Sequence, residues 1–175
     1  MKSSYLFIGT LLAAAAMTLV MRWHGAVLFI PHCSKAGIVS LELASSTEAA
    51  QAIINCWSSS KEGNLIAVAI VNTQIDFLYL LAYGLFFYVC CFLLSERFST
   101  RWSKVLQYLA IASLVAALFD VVENYFLLKT LQYGIEEIHI RITYIAALIK
   151  FCLLGIVACT CLLSIPAAFF KKGNR

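Results

Sequence analysis

The stretch VLQYLAIASLVAALFDVVENYFLLKTL, residues 105–131, decides the fold. It is apolar over more than the roughly 20 residues a helix needs to cross a bilayer, yet it carries Asp120, Glu123 and Asn124 in its interior. Its apolar residues run continuously instead of alternating, which excludes a barrel strand and leaves a helix. An isolated charge at the centre of such a helix costs roughly 3 kcal/mol or more. Asp120 and Glu123 must therefore face other polar groups of the same protein.

Working outward, three further segments are long and apolar enough to span: about 5–30, 64–94 and 138–170. Two of them carry buried-type polar stripes at helical spacing. Asn72, Asp76, Tyr79 and Tyr83 are separated by four, three and four residues, and His139, Thr143, Ala147 and Lys150 lie on one face of the last segment. Small residues beside these stripes, such as Ala116 and Ala117, permit close helix approach. At about 1.5 Å rise per residue, Asp76, Asp120, Glu123 and Lys150 all fall about 12–18 Å from one end of their helices, so they share a layer. Three carboxylates then meet one ammonium. Lys129 and Arg141 lie nearer the interface, where long basic chains reach out to water.

Composition agrees with the patterning. Hydrophobic residues make up 62% of the 175 residues and charged ones only 13%, with a mean hydropathy of +0.89, far from the soluble average. The predicted fold class is all-α: a polytopic membrane protein, one domain over residues 1–175, built as a four-transmembrane-helix bundle. Lys2 before an apolar run resembles a secretory signal, but apolar character resumes in residues 25–30 with no clean small-residue cleavage site between, so a retained helix is expected. Seven Lys and Arg fall on one side (Lys2, Arg97, Arg101, Lys104, Lys171, Lys172, Arg175) and five on the other (Arg22, Lys35, Lys61, Lys129, Arg141). That bias predicts cytoplasmic termini.

The first loop is too long for a plain connector. Ser45 with Glu48 matches a capping box, and Ala49, Ala52, Ile53 and Trp57 recur at helical spacing, predicting a short amphipathic helix over about 46–57 in this extracytoplasmic loop. This helix is expected to be a structural cap over the bundle or a lid over a site opening toward that face, with Trp57 anchoring it at headgroup level. Cys33 and Cys56 fall in the same loop, where oxidation is permitted, and a disulfide closing a loop of that size would contribute about 3 kcal/mol. The other five cysteines lie in apolar helices and read as small hydrophobes. No CxxC occurs, which argues against a thiol oxidoreductase.

Three function classes stay open. The surplus negative charge points to a site for a cation, a proton or a small amphiphilic ligand, formed by Asp76, Asp120, Glu123, Asn124, Lys150, Tyr83 and Asn72, with transport as one use. If a metal binds, Asp76, Asp120 and Glu123 are the ligands, and their hard oxygens suit Mg²⁺, Ca²⁺ or Mn²⁺. A membrane-embedded enzyme acting on lipid would use Asp120 and Glu123 as acid and base, and this pair is expected to titrate together. A structural network holding the helices in register is the third class. No nucleophile elbow, HExxH or phosphate loop is present, and no cofactor is assigned. Membrane lipids are the expected partners, and Gly155 with Cys159 offers a small-xxx-small pair for a homodimer. The net charge of +4 comes from short turns and the tail, which excludes nucleic acid as a partner.

The combination of GIVSLELASS at 37–46, Trp57, DFLYLLAYG at 76–84, DVVEN at 120–124 and KF at 150–151 resembles a group of small bacterial four-helix integral membrane proteins of unassigned function. The resemblance covers the chain from the first loop into the last helix. It implies a four-helix protein of the bacterial inner membrane, implies no activity, and adds Glu42 and Trp57, as lid or interface residues, to those worth testing.

Overall fold

The computed structural model describes residues 2–60, 63–98 and 100–170. Among the described residues six α-helices follow in order: α1 (Lys2–His24), α2 (Ile38–Glu42), α3 (Thr47–Ser58), α4 (Ile66–Ser95), α5 (Thr100–Tyr133) and α6 (Glu137–Phe170). Four of them, α1, α4, α5 and α6, are long and apolar enough to cross a membrane. Among the described residues there is no strand, only a single bridge between Ile30 and Ser34.

The long helices do not contribute equally. α5 packs along both α4 and α6, while α1 packs chiefly against α4, so the core is a three-helix unit with α1 attached at its side. Small residues set the closest approach. A Cβ added at Gly84 would sit 3.2 Å from Ala117 Cβ, and Ser113 Oγ donates to the Gly84 carbonyl at 3.3 Å, tying α4 to α5 one turn from the polar layer. A Cβ added at Gly155 would meet nothing within 4 Å, and Cys159 is exposed.

The first helix stops at His24, short of the expected residue 30. Residues 25–36 turn back on themselves through a 3-10 turn (Ala26–Leu28) and a tight Ile30–Ser34 loop. Pro31 lacks an amide to continue a helix, and the Ser34 hydroxyl takes over backbone partners, accepting from Ile30 N and donating to Leu28 O at 2.6 Å. Helix α3 begins one residue later than the capping box suggests: Ser46, not Ser45, is the cap, accepting from Ala49 N at 3.2 Å. Its neighbour Glu48 has its carboxyl held below the ordinary value by its own backbone amide, then by the Ser46 and Thr47 hydroxyls.

Residues 25–58 form a cap over one end of α4, α5 and α6. Leu28, Leu41, Ile53 and Trp57 from the cap share a core with Leu127 and Ile140 from the helices below. Trp57 is fully buried there, its indole N–H shared between Ser34 Oγ at 3.0 Å and Leu28 O at 3.3 Å. The expectation of a headgroup anchor is corrected. The indole finds its polar partner inside the protein, in a serine and a carbonyl that the turn exposes for it.

Gly37 starts α2 with φ +62° and ψ −133°, and a Cβ there would lie 2.9 Å from Phe29 Cε2. Gly37→Ala should therefore cost about 1–3 kcal/mol, measurable as a lower thermal midpoint. Because α2 ends at Glu42, the same strain would shift that carboxyl.

Candidate functional site

Lys150 is the centre of the site. It projects from α6 into the interface with α5 and is 4% exposed. A lysine tolerates such burial only if its three ammonium protons find acceptors. Nζ donates to Glu123 Oε1 at 2.8 Å and to Asp120 Oδ1 at 2.9 Å, and pairs with Glu42 Oε2 at 3.5 Å. Asp120 and Glu123 are three residues apart on α5, which places both on the helix face toward α6.

Around this pair the network extends to α4. The Tyr83 hydroxyl donates to Asp120 Oδ2 at 2.6 Å. Asn124 Nδ2 donates to Asp76 Oδ2 at 2.7 Å and to Asp120 Oδ1 at 3.5 Å, so the amide links the two aspartates. Asp120 thus receives donors on both oxygens and is the best-satisfied carboxylate of the group. Glu123 is satisfied on one oxygen only, and Glu42 lies within hydrogen-bonding reach of it.

Glu42, expected as a lid or interface residue, reaches the cluster from the cap. It is 5% exposed and descends from the end of α2 to the ammonium itself, making the cap a wall of the site. Nothing in its local sequence, SLELA, marks it for a polar core. Asn72 departs in the opposite sense. Although fully buried and one turn above Asp76, its amide turns to Met21 O and His24 Nδ1, each at 3.4 Å, and fastens the end of α1 to α4. A polar stripe on one helix can serve two neighbours, because the packing of the next helix divides it.

In this layer Glu123 Oε2 and Asn124 Oδ1 are buried without a hydrogen-bond partner, and Glu42 Oε2 has only its 3.5 Å ion pair with Lys150; Thr143 Oγ1, farther along α6, is also buried and unpartnered. Thr143 lies two turns before Lys150 on α6, about 10 Å along the helix axis, and belongs to the polar stripe of that helix. Unpartnered buried oxygens cost about 1–3 kcal/mol each. The charge balance points the same way. Four carboxyls (Glu42, Asp76, Asp120, Glu123) surround a single ammonium, and among the described residues no other lysine or arginine is ion-paired with them. Lys129 instead lies over the Tyr133 ring, 4.7 Å from its centroid.

Elsewhere, Cys33 and Cys56 are joined by a disulfide, their Cα atoms 6.5 Å apart, tying the turn after α1 to the last turn of α3. Cys90, Cys91 and Cys161 are buried between α4 and α6 at the end of the protein away from the cap, with Cys91 and Cys161 sulfurs 3.3 Å apart. Comparison with protein families, curated proteins and solved structures returned no match, so the reading of the site rests on its own geometry.

Proposed function

We propose that this is a multi-pass protein of the bacterial inner membrane, with both termini cytoplasmic, whose buried carboxylate–lysine cluster holds an exchangeable cation or proton and supports its movement across the membrane. The membrane reading is supported by the outward faces of the long helices, where Leu12, Leu19, Leu81, Leu118, Leu162 and Leu163 are each 63–74% exposed. Such faces are unfavourable in water and neutral in lipid. The basic-residue bias then puts the cap, α2 and α3 on the outer side.

The observation that carries the site reading is the coincidence of surplus negative charge with donor-free oxygens. A positively charged occupant answers both at once. A proton on either Glu42 or Glu123 supplies the missing donor to the other, and a metal ion bound among the same oxygens would do so by coordination. Glu42 is the group through which the occupant exchanges, because it belongs to the cap and not to the long helices. Asp120, held by Lys150 and Tyr83, is the fixed counter-ion.

Thermal unfolding of the purified protein in nanodiscs tests this, using chlorides of Li⁺, Na⁺, K⁺, Mg²⁺, Ca²⁺ and Mn²⁺ against choline chloride at equal ionic strength and across pH. An occupant at a hundred times its dissociation constant adds about 2.7 kcal/mol, or a rise of roughly 5–10 °C for a chain of this size. One cation, or the proton, should give that rise, and Glu123→Gln should abolish it. Indifference to every cation and to pH, with Glu123→Gln unfolding at a higher temperature than the parent, would assign the cluster to helix registration alone.

A further inference from the structure

The cap holds a second chemical centre, separate from the lysine cluster. The Cys33–Cys56 disulfide is half-buried, and the exposed His32 brings Nε2 to 3.8 Å from Cys56 Sγ. The His32 nitrogen and both sulfurs lie within 4.8 Å of one another. All three residues open on a cleft of about 900 Å³ walled by Phe29, Ile30, Pro31 and Ala52. A disulfide that served only as a staple would need neither an imidazole at its sulfur nor an apolar cleft in front of it. We propose that this is a reactive disulfide, which takes electrons from an apolar thiol seated in the cleft, with His32 as its general acid.

The position of each sulfur assigns the direction of the reaction. Cys56 lies in the last turn of α3, where the negative end of the helix dipole disfavours a thiolate. It leaves well only if it is protonated as it leaves, and His32 stands beside it. The substrate thiolate therefore attacks Cys33 Sγ. A bond forms between the substrate sulfur and Cys33, the Cys33–Cys56 bond breaks, and its electron pair goes to Cys56 Sγ, which takes the proton from His32 Nε2. A second substrate thiolate attacks the substrate sulfur of the mixed disulfide and releases Cys33 as a thiolate. Two thiols are oxidised to one disulfide, and the cysteine pair is reduced by two electrons. The absence of a CxxC does not oppose this chemistry, because the fold of the cap supplies the adjacency that sequence spacing lacks.

Single-turnover reduction of the full-length protein in nanodiscs tests the proposal, using benzyl mercaptan as the apolar probe and 2-mercaptoethanol as a polar control. Free cysteine would be read by acid quench and intact mass. The parent should react faster with benzyl mercaptan, beyond the difference set by the two thiols' own acidities. His32→Gln, a surface change that leaves the cap core intact, should slow the reaction about 10²-fold and remove the fall in rate per thiolate expected as the imidazole loses its proton. Peptide mapping of the quenched intermediate should place the substrate on Cys33. A disulfide that resists both thiols until the protein unfolds, an unchanged rate and pH profile in His32→Gln, or a mixed disulfide on Cys56 would each overturn the proposal.

Discussion

Lys150→Met should destabilise the folded protein by about 3–5 kcal/mol, the range for removing one partner of a buried ion pair. Its ammonium donates to Asp120 and Glu123 and is ion-paired with Glu42 at 3.5 Å, all of them at most 5% exposed. Methionine fills the space of the alkyl chain but leaves four carboxyls facing one another with no cation. The test is unfolding in mixed micelles, comparing Lys150→Met with Lys150→Met/Glu123→Gln. Neutralising one acid should recover part of the loss, so the two substitutions should combine with a favourable coupling term of about 1–3 kcal/mol. A single variant within 1 kcal/mol of the parent would mean that the lysine is not the counter-ion its distances describe.

Trp57→Ala should cost about 3–5 kcal/mol, as expected for truncating a fully buried tryptophan. Two contributions add: the lost apolar contact with Leu28, Leu41 and Leu127, and the indole N–H withdrawn from Ser34 and Leu28. Trp57→Phe separates them, since it keeps most of the packing and should lose about 1 kcal/mol for the hydrogen bond. A tryptophan floating at a lipid interface would give a change within about 0.5 kcal/mol in both variants, which is the outcome that would contradict the buried placement. Because the cap also carries Glu42 to Lys150, Trp57→Ala and Glu42→Gln should be non-additive. Once the cap is loosened, removing the Glu42 charge has less left to disturb.

Several features were legible along the chain because they depend only on local pattern. Apolar runs of spanning length, interrupted by polar residues at helical period, fix the four long helices to within a few residues at most ends. The same periodicity puts Asp120 and Glu123 on one face of α5, and the cost of burying them requires a partner, which Lys150 meets. Serine before an acidic, helix-favouring stretch marks the start of α3, with an uncertainty of one residue over which of two serines caps it.

The sequence by itself therefore determined the helices, their faces and the need for a shared polar layer, since periodicity and desolvation act within each segment. Only the tertiary structure decided how those faces were divided among neighbours. It gave Asn72 to the end of α1, brought Glu42 down from the cap, buried Trp57 against a serine 23 residues away, and set His32 beside a disulfide. Each of these is a loop-closure outcome. The contacts join residues far apart in the chain, so their energies depend on which surfaces the packed helices present and not on the residues flanking them.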